Sequence, residues 1–299
     1  MLFLFISNTD IARVPGLSAA GANADVLPYT SPADADVIRF GRPLSIDCFP
    51  MDPDGRPTPA IITRAAVTIA DIPICVVRSG SMMAPSAPYV EICSSPGGDP
   101  RIAASVGEAK KIFDVASSFA GNFTKDSDNV MLAESIPGGT TTALLVLRVL
   151  GYDCMVSSAS GSNPIALKES IWRGASARLG IETGGFRNDP LRAISEFGDP
   201  MQAAVLGFIA GSKKRTGIVL AGGTQMLAVA ACLRAMGCER EITVATTRYV
   251  VNDQTASFTE LAQRLRVETY SAPLDFSQSP YKGLRDYEDG FVKEGVGAG

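Results

Sequence analysis

The chain has 299 residues, 46% hydrophobic and 19% charged, with 27 Lys plus Arg against 31 Asp plus Glu for a net charge of -4. These proportions exclude disorder, collagen and coiled coil, and the absence of a basic excess excludes the phosphate-neutralising face of a nucleic-acid binder. The sequence contains no His, which removes Ser-His-Asp and Cys-His nucleophile systems, imidazole proton shuttles and His-bound metals. Any acid–base step then falls to a carboxylate, Lys, Tyr or Cys whose pKa its surroundings have moved. The six cysteines, Cys48, Cys75, Cys93, Cys154, Cys232 and Cys238, are scattered without a C-x-x-C pair. They read as reduced core residues rather than as a zinc site or a disulfide framework.

The length supports one large domain or two unequal ones. Met1 to Ile6 is apolar but short and without a basic flank, so it reads as a buried first strand, not a signal peptide. No other run approaches bilayer length, and a soluble, cytoplasmic chain is expected. Residues up to about 60 read as loops and short helices around that strand. Ala60 to Val77 resembles buried strand material, and Arg78 to Pro100 a long Gly-, Pro- and Ser-rich loop of the kind that carries function.

From Ile102 the pattern is regular. Helices are predicted over Ala104–Ala120, Thr141–Leu150, Ile165–Leu179, Met201–Ala210 and Thr224–Met236, and strands over Asn129–Ala133, Gly217–Ala221 and Glu241–Val251. This alternation specifies an α/β domain with a largely parallel sheet flanked by helices, in which ligands sit beyond the carboxyl ends of the strands.

Three short segments could carry chemistry. In Glu134-Ser135-Ile136-Pro137-Gly138-Gly139-Thr140-Thr141-Thr142 a strand runs through a Gly-Gly turn into a helix opened by hydroxyl residues. Amides, hydroxyls and the helix N-terminus suit a phosphate; the alternative is an ordinary strand-to-helix turn with a Thr cap. There is no Gly-Lys-Thr, which disfavours a P-loop nucleoside triphosphatase. Ala221-Gly222-Gly223-Thr224 is a second such turn, taken alone more consistent with tight packing. Glu294-Gly295-Val296-Gly297-Ala298 places one acid among alternating glycines, which can bend around a planar ligand or simply form a frayed end.

In this order the three segments resemble the nicotinate-nucleotide–dimethylbenzimidazole phosphoribosyltransferase family of cobalamin nucleotide-loop assembly, in its archaeal-type branch. The Glu134–Thr142 block is similar to the family's Glu-x-x-x-Gly-x-Thr-Thr phosphate segment, and Phe197–Gln202 to its Gly-Gly-acidic helix start. Val219–Gly223 falls where relatives carry an apolar strand ending in Asp-Gly. Lys293–Ala298 is similar to the terminal Gly-Glu-Gly-Ser-Gly-Ala that holds the family's base. Asn8-Thr9-Asp10, Pro15–Gly21 and Tyr29-Thr30 add to the likeness, which covers most of the chain. Ala221 departs from the bacterial Asp, and Gly198-Asp199 from Gly-Gly.

The resemblance implies a Rossmann-like fold. Residues 61–254 would form the nucleotide-binding domain, and 1–60 plus 255–299 a smaller, mainly helical one built from the chain ends. It also implies a homodimer with neither metal nor cofactor. The implied reaction is displacement at C1′ of nicotinate mononucleotide by a benzimidazole-type nitrogen, giving an α-riboside phosphate and nicotinate for cobalamin lower-ligand synthesis. Adenine or another purine is an alternative acceptor, and a non-catalytic nucleotide-binding regulatory protein an alternative role. Glu294 would be the base. Gly138, Gly139, Thr140 and Thr141 would bind phosphate, with Lys168 either a supporting cation or a solvated helix residue. Glu134, Ser135, Gly222 and Gly223 would meet ribose and nicotinate, and Ser79, Gly80, Ser81, Pro88 and Tyr89 the incoming base.

Overall fold

The computed structural model describes residues 1–125 and 129–293. Strands occur at β1 (Leu2–Ile6), β2 (Ile74–Ser79), β3 (Tyr89–Cys93), β4 (Asn129–Ser135), β5 (Gly217–Ala221), β6 (Thr243–Thr247) and β7 (Glu268–Ala272). They form one seven-stranded sheet in the order β3-β2-β1-β4-β5-β6-β7, and all six pairings are parallel. The helices are α1 (Thr30–Phe40), α2 (Ala60–Ile69), α3 (Ala109–Phe123), α4 (Gly139–Val149), α5 (Ile165–Leu179), α6 (Pro190–Phe197), α7 (Pro200–Gly211), α8 (Thr224–Ala235), α9 (Arg248–Val251), α10 (Phe258–Leu265) and α11 (Lys282–Glu288).

Central strands of a parallel sheet bury both faces and so read as unbroken apolar runs; every residue of β1 is buried. One face packs Leu2, Leu4, Ile6, Val76 and Ala133 against α1 and α2. The other packs Phe3, Phe5, Val130 and Leu132 against α3, α4, α7 and α8, with Phe3 and Phe5 tilted or edge-on to Phe208 at 4.7 and 5.9 Å. The chain moves from β1 outward to β3, then returns to the other side of β1 as β4. That reversal leaves a crevice beyond the carboxyl ends of β1 and β4, where ligands of such sheets bind. Leu2–Ile6 and Glu268–Ala272, assigned by sequence to a terminal unit, are strands of this sheet, β1 in its interior between β2 and β4 and β7 at its edge.

Ala60–Val77 is not one strand: a helix, α2, comes first and β2 begins only at Ile74. The buried α2 residues Ala60, Thr63 and Val67 stand three and four apart, a helical stripe that the β-branched content disguised. The loop Arg78–Pro100 contains β3 at the sheet edge. Glu241–Val251 ends as a strand at Thr247, whose Oγ1 accepts from the Val250 amide and caps α9. Among the described residues no helix is long and apolar enough to cross a membrane.

Candidate functional site

A cleft lies at the β1/β4 reversal. Its floor is the β4–α4 turn, Glu134 through Thr140. Gly138 caps α4 with φ +82°, a left-handed conformation that costs a residue with a Cβ about 1 kcal/mol or more. A Cβ there would also lie 3.0 Å from the γ-methyls of Ile11 and Thr9, so glycine lets the turn after β1 close against the turn after β4. Gly139 is glycine for packing: its Cβ would sit 2.6 Å from Ile136 Cγ2. The Gly139 and Thr141 amides donate to Ile136 O and Gly138 O at 3.1 and 3.0 Å. The Thr141 hydroxyl is buried without a partner among the described residues.

Successive β4 side chains point to opposite faces of the sheet. Glu134 goes to the α4/α8 side, where a Cβ on Gly222 would lie 3.5 Å from its Oε1. Ser135 goes to the α1 side and donates to Asp34 Oδ2 at 2.8 Å, while Thr58 donates to Asp34 Oδ1 at 2.6 Å. Both carboxylates line the cleft, at 5% and 2% exposure, one on each side of the β4 end. Burial pushes the Asp34 carboxyl up to about 6, against the lowering effect of its two hydroxyl partners.

The outer wall comes from both ends of the chain. A hairpin bridged at Met51 and Pro57 carries Arg56, whose guanidinium meets Asp52 at 3.0 Å and Asp54 at 2.6 Å. Arg56 Nε reaches Asp286 of α11 at 3.3 Å, and the guanidinium lies 4.8 Å over the Phe291 ring. Val292 bridges to Ser160. Lys293 donates its amide to Ala159 O at 3.2 Å and its ammonium to Asp253 at 3.0 Å, and its carbonyl accepts from Thr247 at 2.6 Å. Burial pushes the Asp253 carboxyl up, but hydrogen bonds from Thr255, Ser157 and Lys293 hold it below the ordinary value. The segment leading to position 294 is therefore pinned at the cleft rim through Val292, which lines it.

The structure brings Glu134, Ser135, Gly138, Gly139 and Thr140 together around this cleft. Thr141 sits behind them, and Gly222 and Gly223 lie behind Glu134, at the start of α8. Lys168 does not line the cleft. It is fully buried and donates to Ser157 O at 2.7 Å and Asn163 Oδ1 at 2.8 Å, bracing the loop after α4. The five base-pocket expectations are also elsewhere. Ser79 and Ser81 are buried, with hydroxyls bonded to Ile6 O and Met83 O. A Cβ on Gly80 would strike Pro200 at 2.7 Å, and Pro88 and Tyr89 are exposed at the start of edge strand β3. The turn carries glycine at position 80 because it packs under Pro200 at the start of α7. Glu294 lies outside the described residues.

Asp34, Arg56, Thr58, Phe291 and Gln225 also line the cleft, although no motif marked them. Thr30 and Asp34 stand four apart at the start of α1, so both project from one face of it. The Asp199 departure has a structural explanation. Its side chain caps α7 in a reciprocal box with Gln202 and accepts from Thr142 Oγ1 at 2.5 Å, tying α7 to α4.

No family model matches the chain. It is 48% identical over 301 residues to a UPF0284 protein of Pyrococcus abyssi, 100% of this chain and 89% of that one. A UPF0284 protein of Thermococcus onnurineus is 46% identical over 303 residues at the same coverage. The chain belongs to the UPF0284 family. A further UPF0284 protein, from Methanosarcina mazei, is 42% identical over 303 residues, 100% of this chain and 87% of its own. The UPF0284 name states no activity.

Among solved structures, CobT from Thermus thermophilus superimposes with a TM-score of 0.64 at 14% identity, covering 96% of this chain and 78% of that one. A nicotinate-nucleotide-dimethylbenzimidazole phosphoribosyltransferase structure from the same organism gives 0.61 at 15% identity, covering 91% and 76%. The UPF0284 chain thus has the fold of these enzymes.

Proposed function

We propose that this UPF0284 protein is a phosphoribosyltransferase of cobalamin lower-ligand synthesis, moving ribose 5-phosphate from nicotinate mononucleotide to a benzimidazole-type nitrogen. The observation that carries the reading is a glycine-cornered helix start and two buried carboxylates meeting in one cleft at the sheet's topological reversal, in a fold shared with such a transferase. The 5′-phosphate goes to the Gly138–Thr140 corner, where the α4 N-terminus and the Thr140 hydroxyl favour an anion. The ribose lies over the end of β4, and the rings reach the outer wall at Met51 and Phe291.

The chemistry fits a chain without His. The pyridinium leaves C1′ as neutral nicotinate ring nitrogen, taking the bonding pair, so no general acid is needed. The incoming azole attacks through one nitrogen and gives up the proton on the other, so one base suffices. Glu294 is that base in this reading, next in the chain to a Lys293 tied to Ala159, Asp253 and Thr247; a carboxylate gains basicity wherever a bound ligand desolvates it. Fixed amide dipoles and proximity supply the rest. The hairpin carrying Arg56 and α11 with Phe291 act as one cover drawn from both chain ends, and the active unit is a homodimer.

Incubating the protein with nicotinate mononucleotide and a panel of benzimidazoles and purines tests the reading. Nicotinate release supports it and the preferred base decides between the benzimidazole and purine alternatives; nucleotide binding without release from any base would favour the regulatory alternative.

A further inference from the structure

Asp34 has no part in the sequence motifs, yet it is built into the cleft. It stands on α1, whose residues Ser31 to Ile38 are all buried, so the carboxylate is held by a rigid element. Its two oxygens are each fixed by one hydroxyl, Oδ1 by Thr58 and Oδ2 by Ser135. A carboxylate oxygen accepts more than one hydrogen bond, and Asp34 lines the open cleft. One turn earlier on α1, Thr30 also lines the cleft, with its buried Oγ1 lacking a partner among the described residues. Taking a carboxylate out of water is costly unless partners replace the solvent, and two neutral hydroxyls leave its acceptor capacity half used.

Position selects what the remaining capacity receives. Asp34 is held by Ser135, three residues before Gly138. In a ribotide one ester oxygen and one methylene separate phosphate from sugar ring, so a phosphate at the Gly138 corner brings the ring, not the heterocycle, over the β4 end. We propose that Asp34 is the ribose-hydroxyl acceptor of this cleft, receiving the sugar's hydroxyl protons in hydrogen bonds while Thr58 and Ser135 hold its carboxylate square. Because Thr58 ends the hairpin that carries Arg56, the same carboxylate ties ribose recognition to the outer wall. This assignment rests on the ribotide reading above and deepens it.

The test is titration calorimetry of nicotinate mononucleotide and its 2′-deoxy and 3′-deoxy analogues against wild type, Asp34→Ala, Asp34→Asn and Thr58→Val. A hydrogen bond to a charged partner is worth about 1.5–3 kcal/mol, so wild type should bind at least one deoxy analogue roughly 10- to 100-fold more weakly. Asp34→Ala should bind the parent ribotide more weakly by a similar factor and lose the discrimination. Asp34→Asn, which keeps the side chain's size, serves the same purpose should the alanine variant not fold, and Thr58→Val should give an intermediate loss. A folded Asp34 variant that keeps the full wild-type ratio overturns the assignment. Nicotinate release is scored separately: ribotide binding with Asp34-dependent discrimination but no release from any base would sink the transferase and leave the ribose site. Wild type that binds no ribotide would remove both.

Discussion

A carboxylate kept for a ligand should cost the empty protein stability, and Asp34 permits that cost to be worked out. Its carboxyl rises from an ordinary value of 3.8 to about 6 because burial penalises the charge more than its two hydroxyl partners relieve it. A folded-state pKa above the unfolded one means that the native state binds the proton more tightly. Stability is therefore greatest below about 4, falls as pH rises from about 4 to about 6, and stays reduced above that. The difference of about two units corresponds to roughly 3 kcal/mol at neutral pH. Asp34→Asn removes the ionisation but weakens the hydrogen bonds with Thr58 and Ser135, a loss of about 1 kcal/mol. The net expectation is a gain of about 1–2 kcal/mol above pH 7 and a small loss near pH 4, where the native Asp is already neutral. The other charged groups on the cleft wall, Asp52, Arg56 and Glu134, are unchanged by the substitution. Urea unfolding of wild type and variant at pH 7.5 and pH 4 reads the difference directly. Equal destabilisation at both values would refute the reasoning and make Asp34 a purely structural acceptor.

Other parts of the site give sharper losses. Gly138→Ala adds a left-handed penalty to methyl contacts at 3.0 Å and should lower stability by about 1–3 kcal/mol, measured by thermal unfolding; no change would mean that the two turns are not closed against each other. Thr140→Val keeps the side-chain shape and removes one hydroxyl, so ribotide affinity should fall about 5- to 20-fold with stability nearly unchanged. Arg56→Met strips the guanidinium from Asp286, Asp52 and Phe291; thermal unfolding should show a loss of about 2–4 kcal/mol, with KM rising as the outer wall loosens. Glu294→Gln should cut turnover by about 100-fold or more while leaving ribotide affinity within about twofold, and equal rates would remove Glu294 from the mechanism.

The elements with an undisguised period were readable from sequence. Strand β5 and helix α5 begin and end where their patterns do, and the run from β4 through Gly138-Gly139 into α4 announced the cleft floor. Helix α1 was not readable, because Ser31, Asp34 and Asp36 are buried alongside Ala35, Val37 and Ile38 and no apolar stripe survives. Hydrogen bonds from Thr58, Ser135, Ala87 and Ser45 to those two acids take the place of one. The placement of Lys168 was hidden for a related reason: nothing local says that its ammonium donates to Ser157 O and Asn163. The long loop at Arg78–Pro100 drew attention through its composition, but Gly80 and Gly97 serve close packing against Pro200, and the Ser79 and Ser81 hydroxyls bond to Ile6 O and Met83 O. The outer wall is assembled from positions more than 200 residues apart, Arg56 and Asp286, and no local pattern encodes such a pair.

The most direct measurement is the fate of nicotinate mononucleotide itself. Purified protein mixed with this ribotide and each base of the panel should liberate nicotinate and form an α-riboside phosphate with at least one base, both resolved by liquid chromatography. Intact ribotide after prolonged incubation with every base, at an enzyme concentration near that of the substrate, would contradict the transferase reading.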